Sequence, residues 1–251
     1  MRLREWKRCT DPVAMLRDSS VSMEWAATAL PPDIRWPLLR RLRVFTLTAA
    51  KPALDRVHHT ACRTAVEVGW RLAEGAASAN DVAVTLEGLR AAWEEGLESA
   101  IHYYEAPPEL WALPRLVNVL TLLFNEPAEA ARQLLVPLSI VHPGQPVPLL
   151  TPEETRNCCW LVRELFNRGG VGPLLPWENA WQTETAVALA AQIYASGEFS
   201  AMPILADALQ DVGCDNVDAL IHCRGPGPHV RGCWVVDLVL GKGMNRPPNP
   251  V

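Results

Sequence analysis

What this 251-residue chain lacks already removes several classes of function. It has no apolar run long enough to cross a bilayer. The longest candidate, Leu110 to Phe124, is broken by Pro114, Arg115 and Asn118 and falls short of the ~20 apolar residues a spanning helix needs. It has no excess of positive charge. With 23 Lys+Arg against 28 Asp+Glu, a net charge of -5 and a pI near 5.7, it is a poor match for a protein built to coat nucleic acid. No C-x-x-C, G-x-S-x-G or H-E-x-x-H occurs, and "NRGGVG" at 167–172 follows a helical pattern instead of a strand, the wrong setting for a phosphate-cradling loop. The opening "MRLREWKRCTDP" has no apolar core and so no visible secretory signal. Seven cysteines are an odd number, and Cys158–Cys159 are adjacent; both facts argue against a disulfide framework and for free thiols in a reducing cytoplasm.

Strict apolar/polar alternation is also missing, with "WVVDLVL" at 234–240 the one ambiguous run, so the expected class is all-α. Asp11-Pro12 opens a short helix through Leu16, and a second runs from about Trp36 to Ala50. Residues 53–74 form a third, ended by Gly75. A long helix starts at Asn80 or Asp81 and stops before Pro107-Pro108. Residues 109–124 follow with a kink expected at Pro114, and 127–136 give another short helix.

Four prolines then fall in "VPLSIVHPGQPVPLL" (136–150), which reads as an extended crossing. The expected organisation is a helical region at 1–136, a Pro-rich linker at 137–150 and a second helical region at 151–251. Thr151, Pro152 and Glu154 make a capping box at its start, and Gly169-Gly170 ends that helix. Trp177 and Trp181 read as anchors in an irregular stretch. Ala186, Leu189, Ala190, Ile193 and Tyr194 form one inward stripe. Ile204, Leu205, Ala208, Leu209 and Val212 form another behind a Ser200 cap, and Val217, Leu220 and Ile221 a third behind Asp215 or Asn216. The fold is expected to be an irregular multi-helix bundle or stacked helical hairpins.

Both ends carry a resemblance. "EWKRCTDPVAML" (Glu5 to Leu16) and "MPILADALQDVGCDNVDALIHCRGPGPHVRGCWVVDLVLGK" (Met202 to Lys242) resemble the opening and closing signatures of a family of paralogous proteins in planctomycete bacteria. The resemblance implies a bacterial, cytoplasmic protein and brings no activity, cofactor or site residue with it. Members of that family often carry a cysteine cluster in the second helix, where this chain reads "VFTLTAAK".

The chemistry-bearing candidates concentrate near the C-terminus. Cys214, His222, Cys223, His229 and Cys233 lie within 20 residues. Zinc wants four converging N, S or O donors. His222 and Cys223 are consecutive and point about 100° apart on a helix, so they are poor co-ligands. His229 and Cys233 have a usable spacing, and Cys214 could complete the set. Free cysteines more often serve as small buried apolar residues, so the expectation is no cofactor, with zinc as the alternative.

The loop "RGPGPHVRG" is explained by backbone needs: Gly225 and Pro226 end one helix, and a final helix starts near Arg231 or Gly232 and stops at Gly241. Asp237 is the odd residue in that apolar helix and is expected to pair with Arg224 or Arg231. The competing reading makes Asp237 and His229 partners of a Cys223 or Cys233 nucleophile. His58-His59, with Asp55, Cys62 or Glu67 nearby, and "HYYE" at 102–105 read as helix face and core before ligands. The run Arg35, Arg40, Arg41, Arg43 reads as a solvated or ion-paired face. Taken together, the residues point to a non-catalytic protein–protein interaction or scaffold module whose partner is another protein, with neither membrane nor nucleic acid. The alternative is a metal-dependent or thiol enzyme centred on the C-terminal Cys/His loop.

Overall fold

Proline decides where many of these helices begin. A first-turn residue has no helical acceptor for its N–H, so proline costs nothing there and its fixed φ favours the turn. In the computed structural model, which describes residues 3–18, 32–101, 111–136, 148–166 and 177–242, the rule recurs along the chain. It starts α2 (Pro12–Asp18), α3 (Pro32–Ala49), α8 (Pro127–Leu135) and α9 (Pro152–Leu165), and it falls one residue later in α4 (Lys51–Val57) and α11 (Met202–Asp211). The remaining helices are α1 (Leu3–Arg8), α5 (Thr60–Ala73), α6 (Ala79–Ile101), α7 (Ala112–Asn125), α10 (Glu184–Ser196), α12 (Val217–Arg224) and α13 (Trp234–Val239). The described residues hold no strand, and the fold is all-α, as expected.

Local differences from expectation have local causes. Pro114 is the third residue of α7, where no hydrogen bond is lost, so its presence does not call for a kink. Residues 53–74 are two helices: His58 takes a left-handed φ of 50° and closes α4, and His59 Nδ1 accepts from Ala61 N to cap α5. His58 and Cys62 therefore do not share a helical face. Ser200 is not a cap, and α11 buries Met202, Leu205, Ala206 and Leu209 while Ile204 points outward. "WVVDLV" is α13, a helix buried on every side and therefore apolar all round except at Asp237. The capping box of Thr151 and Glu154 is present, as is the left-handed terminator Gly241. "HYYE", residues 167–176 and most of the Pro-rich crossing lie outside the described residues.

Two apolar cores result. The first is built by α1 to α9 around Leu38, Leu42, Phe45, Leu116, Leu120, Leu161 and Leu165. The second gathers Ala190, Ile193, Leu205, Leu209, Trp234 and Val235 from α10 to α13, with Trp181 from the turn just before α10. Because α9 belongs to the first core, the change of core falls after Phe166 and not at 137–150. The nine tryptophans among the described residues are all buried or half-buried, and seven of them pack in these two cores.

The basic run of α3 is a correction of the solvated-face expectation. Arg40, Arg41 and Arg43 are buried. Arg43 donates to the carbonyls of Leu123 (3.3 Å) and Phe124 (3.2 Å) at the end of α7. Arg115 does the same for the end of α8 at Gln133 O and Val136 O, and Arg163 for α1 at Trp6 O and Cys9 O. Cations at helix C-termini satisfy orphan carbonyls and meet the negative end of the dipole. These arginines are internal fasteners.

Candidate metal centre

The C-terminal loop reaches its position because Gly232 has no side chain. Its φ is +95°, and a Cβ there would stand 2.6 Å from Val44 Cγ1 and 3.0 Å from Leu165 Cδ2. The loop between α12 and α13 therefore presses directly on α3 and α9 of the first core. This contact sets the C-terminal imidazoles and thiol against Glu164, on the last turn of α9.

Four donors meet there. His229 Nδ1 is 3.2 Å from both Glu164 carboxylate oxygens, and His222 Nε2 is 3.3 Å from Glu164 Oε2. His222 Nε2 is also 3.2 Å from Cys233 Sγ. One ligand atom from each of Glu164, His222, His229 and Cys233 lies within 4.8 Å of all the others. The His222 and His229 rings meet edge to face at 4.9 Å, and Trp234 packs 5.3 Å from His222. Zinc bond lengths of 2.0–2.3 Å set the edges of a coordination tetrahedron at about 3.3 Å between N or O donors and about 3.6 Å to sulfur. The short separations already match those edges, and a pair at the 4.8 Å limit needs to close by about 1.2–1.5 Å.

Without an ion, the four groups already shift one another. Burial pushes Glu164 up, yet the hydrogen bonds and charges of His222 and His229 outweigh it and hold the carboxyl at about 2. Burial first and then the Glu164 charge push the Cys233 thiol well above its usual value. Glu164 and thiolate Cys233 together would balance a divalent ion, and an O/N/N/S set suits zinc over magnesium or calcium.

The other candidates go elsewhere. Cys223 and Cys214 pack into the second core and stand outside the four-donor cluster. Burial raises the Cys223 thiol to about 12 and raises Cys214 as well, so neither is an activated nucleophile. Asp237 pairs with neither Arg224 nor Arg231. Its carboxylate takes the Arg40 guanidinium, which also reaches Glu74 (3.1 Å) and Tyr194 (2.9 Å). Arg224 bonds Asp207 and Gln210 on the exposed side of α11, and Arg231 stacks 5.3 Å from the Tyr194 ring. With Asp237 held by Arg40 and His229 by Glu164, the proposed Asp–His–Cys relay is not assembled. His59 is a cap that touches Glu95.

Sequence reasoning missed Glu164, 58 positions before His222. One signal was available. A carboxylate inside "CCWLVRELF" is as odd as Asp237 in its own helix. It was also the nearest Glu to a buried stripe of Leu161, Val162 and Leu165. A cavity of about 210 Å³ adjoins the cluster, lined by Glu164, His222, His229, Trp160, Arg163 and the Gly225–Pro228 turn. Compared with known protein families, curated proteins and solved structures, this chain matches none.

Proposed function

We propose that this protein is a metal-binding protein whose Glu164, His222, His229 and Cys233 hold one zinc-class ion where the two helical cores meet. The carrying observation is the convergence of four donors of the right types within 4.8 Å of one another, with three of the pairs at 3.2–3.3 Å. Three of them come from the loop-bearing corner and one from α9, so the ion would fasten that corner to the first core. Binding energy of such an ion counts as folding energy, because the unfolded chain has no assembled site.

The test is elemental analysis of protein purified without chelator and again after incubation with zinc. About one equivalent is expected, falling below a tenth in the double variant His229→Ala/Cys233→Ser. Less than a tenth of an equivalent in the unaltered protein under both conditions overturns the reading. The four groups would then be a hydrogen-bonded cluster only.

A second reading, protein–protein interaction, is favoured by a separate observation: Ile204, Val212, Val217 and Ile221 on and beside α11 and α12 are large, apolar and exposed. Its checkable form is self-association through that face. Sedimentation of the unaltered protein against Ile204→Glu/Ile221→Glu would show a concentration-dependent dimer in the first alone. A monomer in both removes this form of the reading.

A further inference from the structure

Negative charge and apolar exposure are unevenly spread over this chain, and both concentrate on α11 and α12. Residues 177–224 carry seven carboxylates against one Lys or Arg, the single Arg224, a charge of -6 in a chain whose total is -5. All seven carboxylate residues are exposed. Asp207, Asp211, Asp215 and Asp218 belong to α11, α12 and the turn that joins them. Of these, Asp207 is the one in an ion pair among the described residues, with Arg224 at 2.7 Å.

Four of the five large apolar side chains exposed among the described residues stand on or beside the same two helices. Ile204, Val217 and Ile221 are 57%, 63% and 62% exposed, and Val212 is 37% exposed. An exposed aliphatic side chain standing alone, as Val84 does on α6, is ordinary. These are grouped. Ile204 is three residues before Asp207 and Ile221 three before Arg224, so each isoleucine is the helical neighbour of one half of the ion pair that bridges the two helices on their outer side. Val217 lies one turn before Ile221. The inner faces of both helices are already taken up by the second core, through Leu205 and Leu209 on α11 and Ala219 and Cys223 on α12. No rotation of either helix hides the outer stripe.

Charge selects the occupant. Anionic lipid and the phosphates of nucleic acid are repelled by such a face. A second copy of the chain covers the aliphatic side chains but brings the same acids to the rim. A helix with one apolar face bordered by Lys or Arg answers both features: its i, i+3, i+4, i+7 stripe covers the two isoleucines and Val217, and its cations meet Asp211, Asp215 and Asp218. Resting on the interaction reading above and independent of the metal, we infer that the α11–α12 face is a docking surface for a basic amphipathic helix of another protein.

The probe is a synthetic peptide of about 18 residues, leucine and lysine only, with the leucines on one helical stripe. Its controls are the leucine/glutamate counterpart and a scrambled leucine/lysine peptide of the same composition. Titration calorimetry on the full chain should show saturable binding of the first peptide, one per chain, about tenfold or more tighter than either control. Ile204→Ser/Ile221→Ser changes exposed positions that do little for folding, and should weaken binding roughly tenfold or more through lost apolar burial. Asp211→Asn/Asp218→Asn should weaken it too and flatten its dependence on salt. No saturable binding of the leucine/lysine peptide, or equal binding of either control, overturns the inference. Undiminished binding to either double variant does the same, because the peptide then sits elsewhere or is not chosen by charge. A chain that dimerises through this face yet ignores the peptide keeps the interaction reading and loses the basic helix. One that does neither loses both.

Discussion

Removing the charge of Asp237 should be among the most damaging single changes this fold can suffer. Asp237 is 1% exposed in the middle of α13 and takes the guanidinium of Arg40, itself 6% exposed. Burial works against the Arg40 charge, but Asp237, Tyr194 and Glu74 outweigh it and keep the guanidinium protonated. The substitution Asp237→Asn keeps the shape and deletes the counter-charge. Arg40 would retain Glu74, already shared with Lys242, as its one carboxylate, and the neighbouring Arg41 would lose the one carboxylate that favours its charge.

Breaking a buried pair by removing one partner costs about 3–5 kcal/mol, because a charge is left without compensation. In a chain of this size each kcal/mol moves the melting temperature by about 2–4 °C, so the expected drop is roughly 6–20 °C by calorimetry. Arg40→Met combined with Asp237→Leu should recover much of that loss, since a buried pair replaced by apolar groups is often neutral. A shift below about 2 °C in Asp237→Asn, or a double variant no better than the single, would refute the view that this pair holds α13 to α3.

Three further outcomes follow from the same packing. Glu74 is held below the usual carboxylate range: burial raises it, but Arg40, Lys242 and Tyr194 prevail. A carboxyl depressed in the folded state contributes stability above its unfolded pKa of about 4.3 and loses it as the pH falls through the folded value. Chemical denaturation should therefore show the gap between unaltered protein and Glu74→Gln at full width at pH 6 and shrinking below about pH 4; a constant gap would refute the coupling. Gly232→Ala should cost about 1–3 kcal/mol through its contact with Val44 and its positive φ, and Val44→Ala should restore part of that in a thermal melt. Because burial keeps Cys233 protonated while its metal-bound form is a thiolate, zinc binding near pH 7 should release at least one proton, seen as a buffer-dependent calorimetric enthalpy; no release would exclude Cys233 as a ligand.

Periodicity and punctuation carried most of the fold. The capping box at Thr151, the proline starts and Gly241 all rest on interactions within a few residues, and those are written locally. What failed involved contacts across the chain. The run Arg40, Arg41, Arg43 looks solvated because arginine usually is. Its burial is made tolerable by groups far along the chain: the carbonyls at the end of α7, 80 positions away, and the carboxylates of Glu74 and Asp237, 34 and 197 positions away.

The site shows the same division more sharply. That His222 and Cys223 cannot serve one ion follows from helix geometry alone, and they do part: the imidazole turns to Glu164 and the thiol to the second core. The convergence of His222, His229 and Cys233 depends on a turn whose path is set by Gly232 against Val44 and Leu165, two side chains from other helices. The fourth donor is on α9, in the other core. Each core alone leaves a buried carboxylate next to apolar neighbours, Glu164 in one and Asp237 in the other, and docking gives each a basic partner. Glu164 receives two imidazoles, and Asp237 receives Arg40. Unpaired buried charge is costly, so each core penalises separation from its partner. On this logic, Glu164→Gln should loosen the loop-bearing corner even in metal-free protein, and amide exchange in α12 and α13 should rise relative to α3 and α7. Uniform protection across all four helices would show that the two cores are joined by apolar contact alone.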